Sequence, residues 1–108
     1  MNVRLSNEAR QDVRGIAEYF DLETGSFSIS NRFLAAFQTT CMTLQQFPEI
    51  GVAVRGLHPD FAGWRRIPLD RYPQYLVFYR HNKSTIVVER IMHGSRDLIA
   101  ILGDGSSG

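Results

Sequence analysis

Near the end of the chain, Arg90, His93, Arg96 and Asp97 gather side chains that can move a proton and hold a phosphate. They fall in the run RIMHGSRD. Histidine titrates near neutral pH and serves as a general acid or base, and guanidinium groups grip phosphate oxygens in pairs. Together they would suit metal-independent cleavage of RNA. That reaction benefits from two proton-transfer groups, and only His93 is evident. The competing reading pairs Arg96 with Asp97 in the first turn of a terminal helix, with His93 ordering the corner before it. Other chemistries find less support. His58, His81 and His93 are scattered, and the single Cys41 cannot build a zinc cluster. GLHPDFAG has neither the spacing nor the lysine of a phosphate-binding loop. No Ser–His–acid set stands out. No metal or cofactor is expected.

The second chemical signal is charge. Net charge is only +1, but it is unevenly placed. Residues 1–54 hold four Arg against six acidic residues, a balance of −2, whereas residues 55–97 hold eight Lys or Arg against four, a balance of +4. Arg65, Arg66, Arg71, Arg80, Arg90 and Arg96 thread through runs of Tyr, Val, Ile and Phe that otherwise read as sheet. Long arginine stems do cover apolar surface with their heads in water. A cluster of six points instead to a face presented to something anionic. Trp64 and Tyr72 beside these arginines could stack on bases, but the near-zero net charge favours a protein contact over a dedicated nucleic-acid surface.

These residues need elements to hold them. Val3 and Leu5 alternate with Arg4 as in a short edge strand. Ser6 and Asn7 offer cap oxygens, with Glu8 and Asp12 in the early turns, where acid complements the helix dipole. Ala9, Val13, Ile16, Ala17 and Phe20 then repeat at helical spacing, predicting a helix from 7 to about 22. Gly25 punctuates it. A second helix runs from about 28 to 46 on a stripe of Phe33, Leu34, Phe37, Cys41, Leu44 and Phe47, and Pro48 stops it. Residues 49–63 read as a connecting loop. Strands follow at 64–69, 74–80 and 84–92, the last two joined by a turn in which Asn82 is able to take a left-handed conformation. Strict alternation along the last strand puts Ile86, Val88 and Arg90 on one face and Val87, Glu89 and Ile91 on the other. Such mixed faces suit a sheet with helices on one side and a partner-binding concavity on the other. Ser95 caps a short helix through Leu102. The expected fold is α+β: an N-terminal helical hairpin on a small antiparallel sheet of three to four strands, with a short C-terminal helix.

At 108 residues, 44% apolar and 21% charged, the chain reads as one folded domain over residues 1–102. Residues 103–108 form a Gly/Ser-rich tail expected to be disordered. No run approaches the roughly 18 apolar residues of a membrane helix, the N-terminus lacks a signal-peptide core, and one cysteine excludes an internal disulfide. The cytoplasm is the expected compartment, with no membrane partner.

The chain resembles the ParE/RelE toxin superfamily of bacterial type II toxin–antitoxin modules, and the ParE branch most. The resemblance rests on LSNEARQDVRGIAEYF in the first helix, FPEIG at Phe47–Gly51, RRIPLDRYPQYLVFYR at Arg65–Arg80 and VERIMHGSRDLIAIL at Val88–Leu102. It implies a toxin neutralised by a cognate antitoxin whose C-terminal segment wraps the helices and sheet. An acidic, partly disordered segment folding onto the basic strands would fit the charge split, with Arg65, Arg66, Arg71, Tyr72 and Arg80 as antitoxin-binding residues. The ParE branch implies inhibition of DNA gyrase by binding, with Arg90, His93, Arg96, Asp97 and Leu98 as target contacts and no catalytic set. The RelE branch implies ribosome-dependent cleavage of messenger RNA, with His93 and Arg90 at its centre. No Tyr or Lys follows Lys83, so the tyrosine-dependent RelE site is not reproduced. A toxin dimer or a hetero-oligomer with antitoxin is compatible with Tyr19, Phe20, Phe27 and Ile29, more apolar surface than one core absorbs.

Overall fold

A computed structural model describes residues 1–54 and 59–95. The chain runs β1 (Asn2–Leu5), α1 (Asn7–Thr24), α2 (Phe27–Gln46), β2 (Val52–Ala53), a 3-10 turn (Pro59–Phe61), β3 (Arg65–Leu69), β4 (Tyr72–His81) and β5 (Thr85–His93). The expected terminal helix and the 103–108 tail lie outside the described residues, as does His58.

Both helices form where the caps predict. Ser6 accepts the Ala9 amide at 3.0 Å at the start of α1, and Gly25 closes it in the left-handed region (φ 65°), its amide donating to the Asp21 carbonyl. In α2 the Phe47 amide closes the last turn on Thr43, one residue before Pro48. The helices pack on one face of a sheet ordered β1-β5-β4-β3-β2. Phe33, Phe37, Leu69, Tyr75, Val77, Val88 and Ile91 form the buried layer between them, with Ile16, Phe20 and Tyr72 packed against it. Fully burying one such side chain contributes about 1.5–3 kcal/mol.

The sheet has five strands rather than three to four, and it is mixed rather than antiparallel. β1 pairs in parallel with β5, Leu5 opposite Val88, because the helical hairpin and three strands intervene and return the chain in the same direction. β2 escaped notice because two residues carry no periodicity. The expected alternation in β5 also breaks. Phe78 pairs with Arg90 but Tyr79 pairs with Val88, so Glu89 is an extra residue in a β-bulge. Beyond it, Ile91 rather than Arg90 continues the helix-facing row of Ile86 and Val88. The far face is partly covered, since Phe61 and Trp64 pack over Phe78 and Met92. Asn82 is not left-handed either. Its side chain accepts the Ser84 and Thr85 amides, both at 2.9 Å, and that Asx-type closure makes the turn without positive φ. Among the described residues the left-handed non-glycine is Arg71 (φ 65°), in the tight β3–β4 turn.

The loop after α2 is held by a buried hydroxyl. Tyr79 Oη donates to the Pro48 carbonyl at 2.8 Å and accepts the Gly51 amide at 2.9 Å, while Arg65 donates to the Gly51 carbonyl at 2.7 Å. A Cβ on Gly51 would lie 2.7 Å from Tyr79 Oη and 2.8 Å from the Arg66 carbonyl, so only glycine fits. Tyr79→Phe should leave the fold intact, cost about 1–3 kcal/mol for the unsatisfied Gly51 amide, and speed amide exchange selectively over residues 48–52. Urea unfolding with hydrogen exchange checks both, and unchanged protection of Gly51 would refute the clamp.

Cys41 titrates in the same core. Burial pushes its thiol from 9.0 up to about 11. The unfolded chain therefore releases this proton first as pH rises, and stability present below pH 9 is lost toward pH 11. Cys41→Ala should flatten the alkaline fall in stability over that window by up to about 2 kcal/mol, measured by thermal melts from pH 8 to 11.

Candidate functional site

β1 ends opposite Val88, so the following stretch of β5 has no strand on that side. The start of α1 takes its place. The Ser6 amide donates to the Val88 carbonyl at 2.9 Å, the Ser6 hydroxyl to the Glu89 carbonyl at 2.8 Å, and Asp12 accepts the Ile91 amide at 3.0 Å. Arg90 closes the arrangement, its Nε 2.7 Å from Asp12 Oδ2 and a terminal nitrogen 3.1 Å from Oδ1. The two parallel bonds raise the Arg90 pKa still further, hydrogen bonding to Asp12 outweighing burial.

Past Asp12 the wall of α1 and the edge of β5 diverge into an open groove of about 590 Å³. Tyr75 and Phe20 line it from below, Gly15 and Tyr19 from α1, and His93 from the end of β5. His93 stands edge-on to Tyr75, centroids 5.3 Å apart. Its Nδ1 accepts the Ser95 amide at 3.1 Å, with the Ser95 hydroxyl 2.6 Å away. In the neutral ring this places the proton on Nε2, leaving a donor for a ligand. Arg96, Asp97 and Leu98 lie outside the described residues.

The five residues expected to meet an antitoxin do not form one patch. Arg66 and Arg80 share the face turned away from the helices, and Arg4 joins them through its register with Val87. Arg66 and Arg4 are exposed, while Arg80 pairs with Glu89. Arg65 turns inward to the carbonyls of Glu49 and Gly51. Tyr72 packs among Phe20 and Phe33 in the helix-facing core. Arg71 stands in the β3–β4 turn, 3.8 Å from Asp70. Sequence reasoning missed Asp12 as the partner of Arg90, and it missed Gly15 and Tyr75 in the groove. Gly15 inside a helical pattern was the available signal, because a mid-helix glycine has a conformational cost that a close approach or an open wall can justify. Among the described residues no three His, Cys, Asp or Glu side chains converge as a metal site, and no helix is long and apolar enough to cross a membrane.

Asp12 is thus the residue on which this site's geometry turns. Asp12→Asn should cost about 1–3 kcal/mol, because the half-buried Arg90 guanidinium loses its counter-charge. In chemical-denaturation curves the loss should largely vanish in an Arg90→Met background, where no cation is left unpaired. Equal losses in both backgrounds would show that the Ile91 amide, rather than the ion pair, carries the effect.

The family model described as the ParE toxin of the type II toxin–antitoxin system, parDE, matches residues 3–98. No curated protein sequence shows significant similarity to the chain. Among solved structures, one described as a chromosomal ParDE system from P. aeruginosa superposes with a TM-score of 0.68 at 19% identity, covering 86% of this chain and 95% of that one. A YoeB/ParE toxin from Agrobacterium tumefaciens gives 0.55 at 16% identity, over 86% and 98% of the two chains. These likenesses are to the fold. The match across both helices and the whole sheet assigns the family: the chain belongs to the ParE toxins of type II toxin–antitoxin systems.

Proposed function

We propose that this protein inhibits DNA gyrase by binding and is neutralised by an antitoxin segment lying on its basic sheet face. The carrying observation is the ParE family match over residues 3–98. The geometry supports a binding role. Arg90 has its fork engaged by Asp12, so its first task is to hold β5 against α1. Among the described residues His93 is the imidazole lining the groove, and its ring packs edge-on to Tyr75 while its Nδ1 is engaged by Ser95. Arg4, Arg66 and Arg80 give the far face a basic stripe matched to an acidic segment. Arg96, Asp97 and Leu98 are further target contacts in this reading. The antitoxin-bound form is a hetero-oligomer in the cytoplasm.

The RelE alternative makes a different demand, since ribosome-dependent cleavage would need His93 as acid or base. Purified protein should block gyrase supercoiling, or trap cleaved DNA, at concentrations that leave in vitro translation untouched. Blocked translation with normal supercoiling, relieved by His93→Ala, would replace the gyrase reading with messenger RNA cleavage.

A further inference from the structure

The groove beside β5 has a shape and a charge that the basic face does not share. Among the described residues its strand edge is unfinished. The Gly94 amide donates to the Gln74 carbonyl at 2.7 Å, so Met92 and Gly94 turn their backbone groups toward β4, and Ile91 and His93 turn theirs outward. Asp12 takes the Ile91 amide. Among the described residues, the Ile91 carbonyl and the His93 amide have no partner, and together they form the acceptor–donor pair that an added strand would meet.

The opposite wall leaves room for side chains. A Cβ on Gly15 would meet nothing within 4 Å. Tyr75 and Phe20 supply an apolar floor, and Tyr19, 53% exposed, stands at the rim. Leu22, 84% exposed, follows on the same side of α1. The charge at the two ends of this wall is negative. Glu8 lies one turn before Asp12 and Glu23 one turn after Tyr19, so both extend the groove-facing rows of the helix, and both are exposed. Asp12 pairs with Arg90 and Glu8 stands in the field of the same guanidinium, so Glu23 is the carboxylate best placed to select a ligand.

We propose that this groove docks an extended segment of the target protein, added as a strand to β5 at Ile91 and His93. An apolar side chain of that segment fills the space between Gly15 and Tyr75, and a Lys or Arg sets against Glu23. The inference rests on the gyrase-binding reading and names the surface that performs it. Charge separates this occupant from the antitoxin. An acidic segment suited to Arg4 and Arg66 is repelled by Glu23, whereas a basic, apolar strand is attracted to it. Backbone pairing supplies affinity that is indifferent to sequence, and the pocket and Glu23 supply selectivity.

The test uses the full chain and purified gyrase holoenzyme. Gly15→Trp fills the groove from an open helix position. It should weaken gyrase binding and raise the inhibitory concentration at least tenfold, while the melting temperature stays at or above that of the wild type. Gln38→Trp, on an exposed position of α2, should act as the wild type in every assay. Glu23→Lys touches no core residue and should weaken binding about threefold at low salt, less at high salt. Wild-type potency in both groove variants would overturn the groove. A Gly15→Trp protein that inhibits gyrase fully but loses self-association in sedimentation velocity would also overturn it, assigning the groove to a second copy. Failure of the wild type itself to bind gyrase would instead overturn the gyrase reading, and this occupant with it, before any substitution is compared.

Discussion

The structure depends on how α1 finishes the edge of β5 where β1 stops. A parallel strand of four residues cannot cover a partner of nine, and an uncovered central strand would leave amides and carbonyls unpaired against the helices. Ser6, still extended as the helix cap, bonds both the Val88 and Glu89 carbonyls, and Asp12, nearly two turns later, takes the Ile91 amide. The bulge at Glu89 makes this possible by shifting the register so that the next inward residue is Ile91. Arg90 then reaches around the edge to balance the carboxylate. One splice therefore fixes the helix entry, the twist at the end of β5 and the point at which the groove opens.

The opposite end of the sheet uses a related device centred on a neutral hydroxyl. Tyr79 is completely buried, yet its hydroxyl is satisfied by two backbone partners of the loop after α2, and Arg65 binds the same loop from its neighbouring strand. A long side chain from the sheet thus replaces the hydrogen bonds that a two-residue β2 is too short to make. Both devices place polar atoms in half-buried positions, and each is fully partnered, which sets the loop and the helix in one arrangement instead of several. The arginines divide accordingly: Arg65 and Arg90 work inside the fold, while Arg4 and Arg66 are left to the outer face.

Much of the framework was legible in the residues. Ser6, Gly25 and Pro48 carry local chemistry that starts or stops a helix whatever surrounds it, and the apolar stripe from Phe33 to Leu44 names its own buried face, although Phe47, expected to end that stripe, is 58% exposed at the helix cap. The three long strands and the hairpin at Asn82 follow from β-branched and aromatic runs broken by turn residues. Site composition was partly legible too, since His93 and Arg90 were singled out by residue type alone. The parallel pairing of β1, the minimal β2 and the extra residue at Glu89 were not. Each is a relation between segments far apart in the chain, and no local periodicity encodes which strand a segment meets or where a ladder skips.

The sequence by itself determined the elements, the polarity between an acidic helical half and a basic sheet half, and the family to which that order of motifs belongs. Only the tertiary structure decided which arginines are free. Arg65, Arg66, Arg71, Arg80 and Arg90 look equivalent along the chain because a guanidinium is drawn to any carboxylate or carbonyl within reach, and reach is a property of three-dimensional packing. Folding brought Asp12 to Arg90 across 78 residues and the Gly51 carbonyl to Arg65, and in doing so it separated the cations that hold the protein together from those left exposed on the outer face.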